Sequence, residues 1–508
     1  MKTTAAYRSA SELVAGLASG ELSSRDLLEE YVARIQRHNP RLNAVVAQDL
    51  ARARQAADKA DAQGRRGDPL GALHGLPLTI KDTYEVPGMP CTAGNPQLRT
   101  HRPTQPAVAV RRLQEAGAIV FAKTNVPCMA SDIQSYNAIY GTTRNPWNTA
   151  LTPGGSSGGA AVALAAGFTP LELGSDIGGS IRIPAHFCGV YGHKASYGII
   201  PTRGHIPGRP GQLGERPLSV AGPMARYATD LQLMLEVLAT AGPAMLPGWQ
   251  LNPPAPHPET LQKFRVLFWT DDSSCPIDSR MTAVYTELMA RLKAAGVELV
   301  KSSPKGVSLD SLFACYAIQL SANKMAGAAL AQRWFMGMSA PILQGMCKYL
   351  DLPRHADKFY KGAALSYAEW LVVYEAGLQL REAFVNNFER YDVILTPPTL
   401  TTAFPHDQSH FMSLRRIRVD SRYRHYTDMF MWIAPATLMG LPATSAPVGL
   451  TSDGLPVNVQ IIGAPYADKT TIRFAELLAE MTGGFHVPPL NEGGCACNAQ
   501  PSSVLGRR

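Results

Sequence analysis

Long hydrophobic runs are missing from this chain. The longest stretch of small apolar residues, Ala160 to Gly167, falls far short of the roughly 20 residues a helix needs to span a bilayer. The opening stretch MKTTAAYRSASELV lacks the apolar block of a secretory signal. Cysteine is sparse: eight in 508 residues, with no C-x-x-C pair. That excludes a disulfide-built scaffold, a zinc knuckle and a thioredoxin-type motif. Charge is low at 17%, and 48 basic against 40 acidic residues leave a net +8. An excess this mild excludes a polyelectrolyte tail protein and makes no case for nucleic acid. The expectation is a reduced, cytoplasmic protein with no membrane and no nucleic-acid partner.

Core material is plentiful, with 45% hydrophobic residues. The first 70 residues read as helices. Leu13 and Leu17, then Leu27, Leu28, Tyr31, Val32 and Ile35, recur at helical spacing. Ser23 or Ser24 can cap the second helix, and Pro40 is expected to follow its end. Ala51 to Gln63 reads as a solvated helix and Gly64 to Asp68 as a loop. From residue 73 onward, short apolar β-branched runs alternate with amphipathic helix. LHGLPLTIKD, the helix 107–117, the strand 118–125 and TPLELGSD (169–176) form this series. It predicts an α/β fold with a parallel or mixed sheet. FRVLFWTDD, YDVILTPP and NVQIIGAP extend the pattern. Residues 306–390 read as long helices rich in Met and aromatics. They are expected to contribute mainly to the core and to supply a substrate-binding lid.

Three places carry chemistry. TPGGSSGG (152–159) is a Gly-rich loop opening the helix AAVALAAG. It contains G-x-S-x-G in two frames, but the turn-like RNPWNTALTP stands where a nucleophile elbow needs a strand. It also lacks the lysine of a phosphate loop. SDIGGSIR (175–182) delivers a strand to Asp176 and then turns tightly through Ile177, Gly178 and Gly179 to Ser180. Consecutive glycines let successive N–H groups converge beside a hydroxyl, as a nucleophile with its oxyanion donors requires. Lys81 ends an apolar strand, where burial lowers an amine's pKa and fits it to act as a base. His186 and His193 read as structural hydrogen-bond partners. His406 and His410 are two possible ligands in a loop, too few for a metal site. Ser321 and Lys324 form an S-x-x-K without its companion motifs. The arginines 415, 416, 418, 422 and 424 read as a solvated or carboxylate-pairing face. No metal and no cofactor is expected.

Together, Lys81 in GLPLTIKD, Ser156 in GGSSGG and Ser180 in DIGGSIR resemble the amidase signature hydrolases. The serine spacing, 180 − 156 = 24, is similar to the family's. The likeness is dense over 74–225, returns at GLPATSAPVG (440–449) and is loose across 240–420. It implies one domain over 1–495, with a twisted mixed sheet between helical layers, followed by a flexible tail that begins beside Cys495 and Cys497. It also implies a Ser-Ser-Lys triad in which Lys81 draws a proton through Ser156, a serine in a cis peptide, while Ser180 attacks the amide. The N–H groups of Ile177, Gly178, Gly179 and Ser180 are then the oxyanion donors. Ser157, and Asp176 with Arg182, support the loop. The implied substrate is a small-molecule amide, apolar or aromatic, with carbamates and esters open; a homodimer is also left open. The rival is the glutaminase subunit of a tRNA-dependent amidotransferase. Such subunits show D-T-G-G-S and a Gln two residues after the Arg, where this chain has Ile177 and Pro184. A scaffold that has lost activity is the third reading.

Overall fold

A computed structural model describes residues 5–240, 248, 250–346, 349, 351–409 and 411–490. Its frame is an 11-stranded mixed sheet. In spatial order the strands are Val45–Gln48, Ile119–Thr124, Pro77–Lys81, Leu171–Asp176, Val220–Ala225, Tyr191–Lys194, Ala443–Leu450, Pro456–Gly463, Val393–Thr396, Arg265–Phe268 and Glu298–Lys301. Pro77–Lys81 runs parallel to both its neighbours, Ile119–Thr124 and Leu171–Asp176. The ends of these strands therefore open on the same edge of the sheet, where α/β proteins place their sites. Helices flank the sheet. Leu13, Leu27, Leu28 and Tyr31 of the amino-terminal helices are buried in the same core as Leu78, Ile80 and Phe121 of the strands.

The expected strands at 77–81, 119–124, 171–176, 265–268, 393–396 and 456–463 are all present. The amino-terminal reading needs correction. Val45–Gln48 is a strand pairing antiparallel with Ile119–Thr124; four residues are too few for a periodicity to register. Pro40 lies inside the helix Ser24–Leu42, whose last turn closes on Asn43 at φ 52. The next helix runs through the expected loop, Leu50–Arg66, to a cap at Gly67.

Residues 306–390 are helical as expected: Leu309–Met325, Leu330–Met346, Ala356–Ala363 and Tyr367–Val385. Their aromatic and Met residues divide. Phe313 and Tyr316 are in the core. Leu330, Trp334, Met338 and Ile342, spaced every four residues, are each at least 57% exposed. Helical spacing fixes which residues share a face, not whether that face is covered. No helix among the described residues is long and apolar enough to cross a membrane. Cys495, Cys497 and the expected tail lie outside the described residues.

Candidate active site

Lys81 is the last residue of its strand and is fully buried. Its Nζ lies 2.7 Å from Ser156 Oγ, 2.8 Å from Ser157 Oγ and 2.9 Å from Ser175 Oγ. Burial lowers the ammonium to about 7, against the upward pull of the Asp176 and Glu172 carboxylates. An amine in this state holds a lone pair near neutral pH, and each hydroxyl can donate to it or accept from it.

Ser156 and Ser157 precede the helix Gly158–Ala165, with no strand entering the turn as an elbow would require. The Gly155–Ser156 peptide is cis. Ser135 brackets this loop: its hydroxyl donates to the Gly154 carbonyl (3.0 Å) and accepts the Gly158 N–H (3.0 Å). The Ser157 N–H donates to the Ser180 carbonyl (3.0 Å), tying the two serine loops together.

The second loop follows Leu171–Asp176. Asp176 accepts from the Gly179 N–H (2.9 Å) and the Ile181 N–H (3.0 Å), and pairs with Arg182 Nη2 (2.8 Å). Burial alone would raise this carboxyl, but Arg182 and the Ile181 N–H hold it down at about 2. Gly179 sits at φ +81, a conformation that a side chain disfavours. Arg182 also donates to the Ile433 carbonyl and to Gln460 Oε1. Tyr316 OH donates to the Ile177 carbonyl (2.9 Å).

One expected oxyanion donor is corrected here. The Gly179 N–H is already given to Asp176, whereas those of Ile177, Gly178 and Ser180 have no acceptor among the described residues. The Ser180 hydroxyl likewise has no partner among the described residues. Ser156, Ser175, Asp176, Ile177 and Ser180 line a cavity of about 1140 Å³. Met129, Tyr367 and Trp370 add large apolar surface to it, and Arg209, Glu215, Arg216, Lys324 and Arg333 add charge. The exposed lining is mostly apolar, as expected, with these charged groups set into it.

The other motifs fall elsewhere. His186 accepts the Asn458 N–H, and His193 bridges Thr444 and Asp468. Arg415, Arg416 and Arg424 pair with Asp132, Asp351 and Asp428. Lys324 lines the cavity, while Ser321 is buried in its helix. His406 is described and His410 is not. Among the described residues no cluster of three or more His, Cys, Asp or Glu could hold a metal.

Sequence reasoning missed Ser175, Glu172 and Ser135. Glu172 is buried on the same strand as Ser175 and accepts from Thr79 (2.9 Å) and Thr124 (2.7 Å). Burial raises it to about 7. A Glu inside an apolar strand was the available signal.

The α/β frame, with Lys81 held by serine hydroxyls beside a cavity at the strand ends, is the setting of an enzyme site. The chain belongs to the Amidase family, whose model matches residues 26–472. It is 32% identical to a Glutamyl-tRNA(Gln) amidotransferase subunit from Anaeromyxobacter sp. (strain K), over 94% of this chain and 97% of that one. It is 30% identical to the indoleacetamide hydrolase of Bradyrhizobium diazoefficiens, over 94% of this chain and 86% of that protein. Among solved structures it matches an amidase at TM-score 0.74 and 29% identity, over 94% of this chain and 100% of the other.

A Lys81 base would act only when neutral, so kcat/KM is then expected to rise with pH through about 7 and level off. Two units below that midpoint only about 1% of the amine is neutral. Glu172 titrates in the same window, as does Lys194, whose pKa burial lowers to about 7. A Lys194→Gln variant that keeps the limb excludes Lys194 as its source. A profile flat from about pH 5 upward contradicts a lysine base.

Proposed function

We propose that this chain is a stand-alone, cofactor-free amidase of the cytoplasm that works through an acyl-enzyme on Ser180. The observation that carries the reading is the buried Lys81 amine, held by three hydroxyls beside the cavity that Ser180 also lines. Neutral Lys81 draws the Ser156 proton as Ser156 takes the proton of Ser180. Ser180 Oγ adds to the amide carbonyl, and the oxyanion meets the N–H groups of Ile177, Gly178 and Ser180. One such donor is worth about 3 kcal/mol of barrier. Ser156 returns the proton to the leaving nitrogen, the C–N bond breaks, and water hydrolyses the ester. Asp176, Arg182 and Ser157 hold the two loops in place.

The cavity volume and the Trp370 and Tyr367 surfaces favour a bulky apolar or aromatic amide over an acetamide-sized one. Residues from 322–370 make one wall, which supports assigning the 306–390 segment to a lid. The test is a hydrolysis panel of aliphatic amides, anilides, carbamates, esters and L-glutamine. Anilides ahead of acetamide by a decade or more are expected, since each buried methylene is worth about 0.8 kcal/mol. Acetamide as best substrate sinks the pocket assignment.

A second reading, the glutaminase subunit of a tRNA-dependent amidotransferase, is favoured by the 32% identity to a Glutamyl-tRNA(Gln) amidotransferase component. L-Glutamine as the best substrate, with turnover raised by partner subunits, would establish it. Ile177 and Pro184 depart from that pattern, and the stand-alone amidase remains the preferred assignment.

A further inference from the structure

The cavity that Ser180 lines carries an unbalanced charge. Arg209 and Arg216 come to it from one segment, Lys324 and Arg333 from another more than a hundred residues later in the chain. None of the four has a carboxylate partner among the described residues. Arg216 Nη1 donates to the Asn323 carbonyl (3.1 Å), bracing the two segments against each other. Arg333 Nε donates to the Ala363 carbonyl (2.9 Å). Both contacts leave the remaining guanidinium N–H groups for another acceptor.

The acids in and near the cavity offset these cations only in part. Asp176 is spent on Arg182 (2.8 Å). Asp132, whose charge reaches Lys324, is spent on Arg415 (2.6 Å). Glu215 is exposed, as are Arg209 and Lys324; it caps the Thr202 N–H (2.9 Å) and offsets one of the four cations. His205, which also lines the cavity, brings no charge. Burial, together with the positive charges of Lys81 and Arg216, lowers it to about 3. Its Nε2 is buried without a hydrogen-bond partner. A net positive charge around a cavity focuses the field on an anion. A guanidinium presents paired N–H donors that match a carboxylate's two oxygens.

We propose that the amide substrate carries a carboxylate, held by Arg216 and Lys324 with Arg209 and Arg333 around them, while its uncharged body lies toward Ser180. This rests on the cavity being the site of amide hydrolysis, and it names the class of substrate that site takes.

The test compares 4-nitroanilides of glutaric, adipic and suberic acids with their methyl esters, which differ only in the terminal charge. Matched anilides carrying a carboxylate or its methyl ester on the amine side cover the opposite orientation. The free acid is expected to lead in kcat/KM by about 10- to 100-fold for at least one chain length, mainly through KM. That lead should shrink as salt rises. In the double variant Arg216→Gln, Lys324→Gln the acid-to-ester ratio should fall to within about threefold of unity, and Arg216→Lys should restore part of it. Because the readout is a ratio within one protein, partial unfolding of a variant does not move it. Equal cleavage of acid and ester by the wild type overturns the carboxylate assignment and leaves the amidase standing. So does an acid-to-ester ratio unchanged in the double variant. If no anilide is cleaved while a fluorophosphonate still labels Ser180, the carboxylate assignment falls alone. If nothing is cleaved and nothing is labelled, the proposed function falls with it.

Discussion

Replacement of Ser180 by alanine is expected to lower kcat/KM by about four to six decades, the loss seen when the nucleophile of a serine hydrolase is removed. The structure makes this a clean substitution. Ser180 Oγ has no hydrogen-bond partner among the described residues, and it faces a cavity. Alanine therefore breaks no contact and opens no void in packed core. The thermal midpoint should stay within the small range of a surface change, about 0.5 kcal/mol in stability. A fluorophosphonate should add one phosphonyl group to the wild type at Ser180 and none to Ser180→Ala. Neighbouring serines give the experiment its control: Ser156, Ser157 and Ser175 sit on the lysine itself. If labelling persists in Ser180→Ala, or if turnover falls by less than about tenfold, the bond-forming hydroxyl is one of those three.

The site was legible because its chemistry is local. Lys81 ends an apolar run, and Ser180 follows a Gly-Gly turn. Each signal sits within about ten residues, where residue type and turn propensity decide the backbone. What escaped was set by distant packing. Ser175 is one residue before Asp176 in the same motif, yet nothing local says its hydroxyl turns toward Lys81. The adjacent parallel strand decides that. The capture of the Gly179 N–H by Asp176 depends on the loop's actual path, whereas the sequence shows only that two glycines permit a turn. The strand Val45–Gln48 is an edge strand made by pairing with Ile119–Thr124, a partner more than seventy residues away. Helical spacing in Leu330–Met346 is plain in the sequence, while the exposure of its apolar ridge depends on what packs beside it. The cationic wall was invisible for the same reason: Arg216 and Lys324 are unremarkable alone, and the fold puts them in one cavity.

Removal of the lysine amine is the second change with a large expected effect, and its combination with Ser156→Ala tests whether the two act as one relay. Lys81→Ala should cost about four decades in kcat, because Lys81 is the buried amine that holds the Ser156 hydroxyl (2.7 Å). Glu172, a buried acid whose charge reaches Lys81, already accepts from Thr79 and Thr124. Ser156→Ala should cost about two to three decades, since Lys81 still holds Ser157 and Ser175 and a water can stand where the hydroxyl was. The double variant should be no worse than Lys81→Ala alone. Under the proposed relay, once the base is gone Ser156 has nothing to pass the proton to, so the losses overlap instead of adding. Exogenous alkylamines offer a further check. They should restore part of the Lys81→Ala rate, with a Brønsted dependence on amine pKa, and should do nothing for Lys81→Ala, Ser156→Ala. A double variant showing the product of the two single losses contradicts a shared relay. It would place Lys81 in the role of a fixed charge that supports the loops, with the proton of Ser180 leaving by another route.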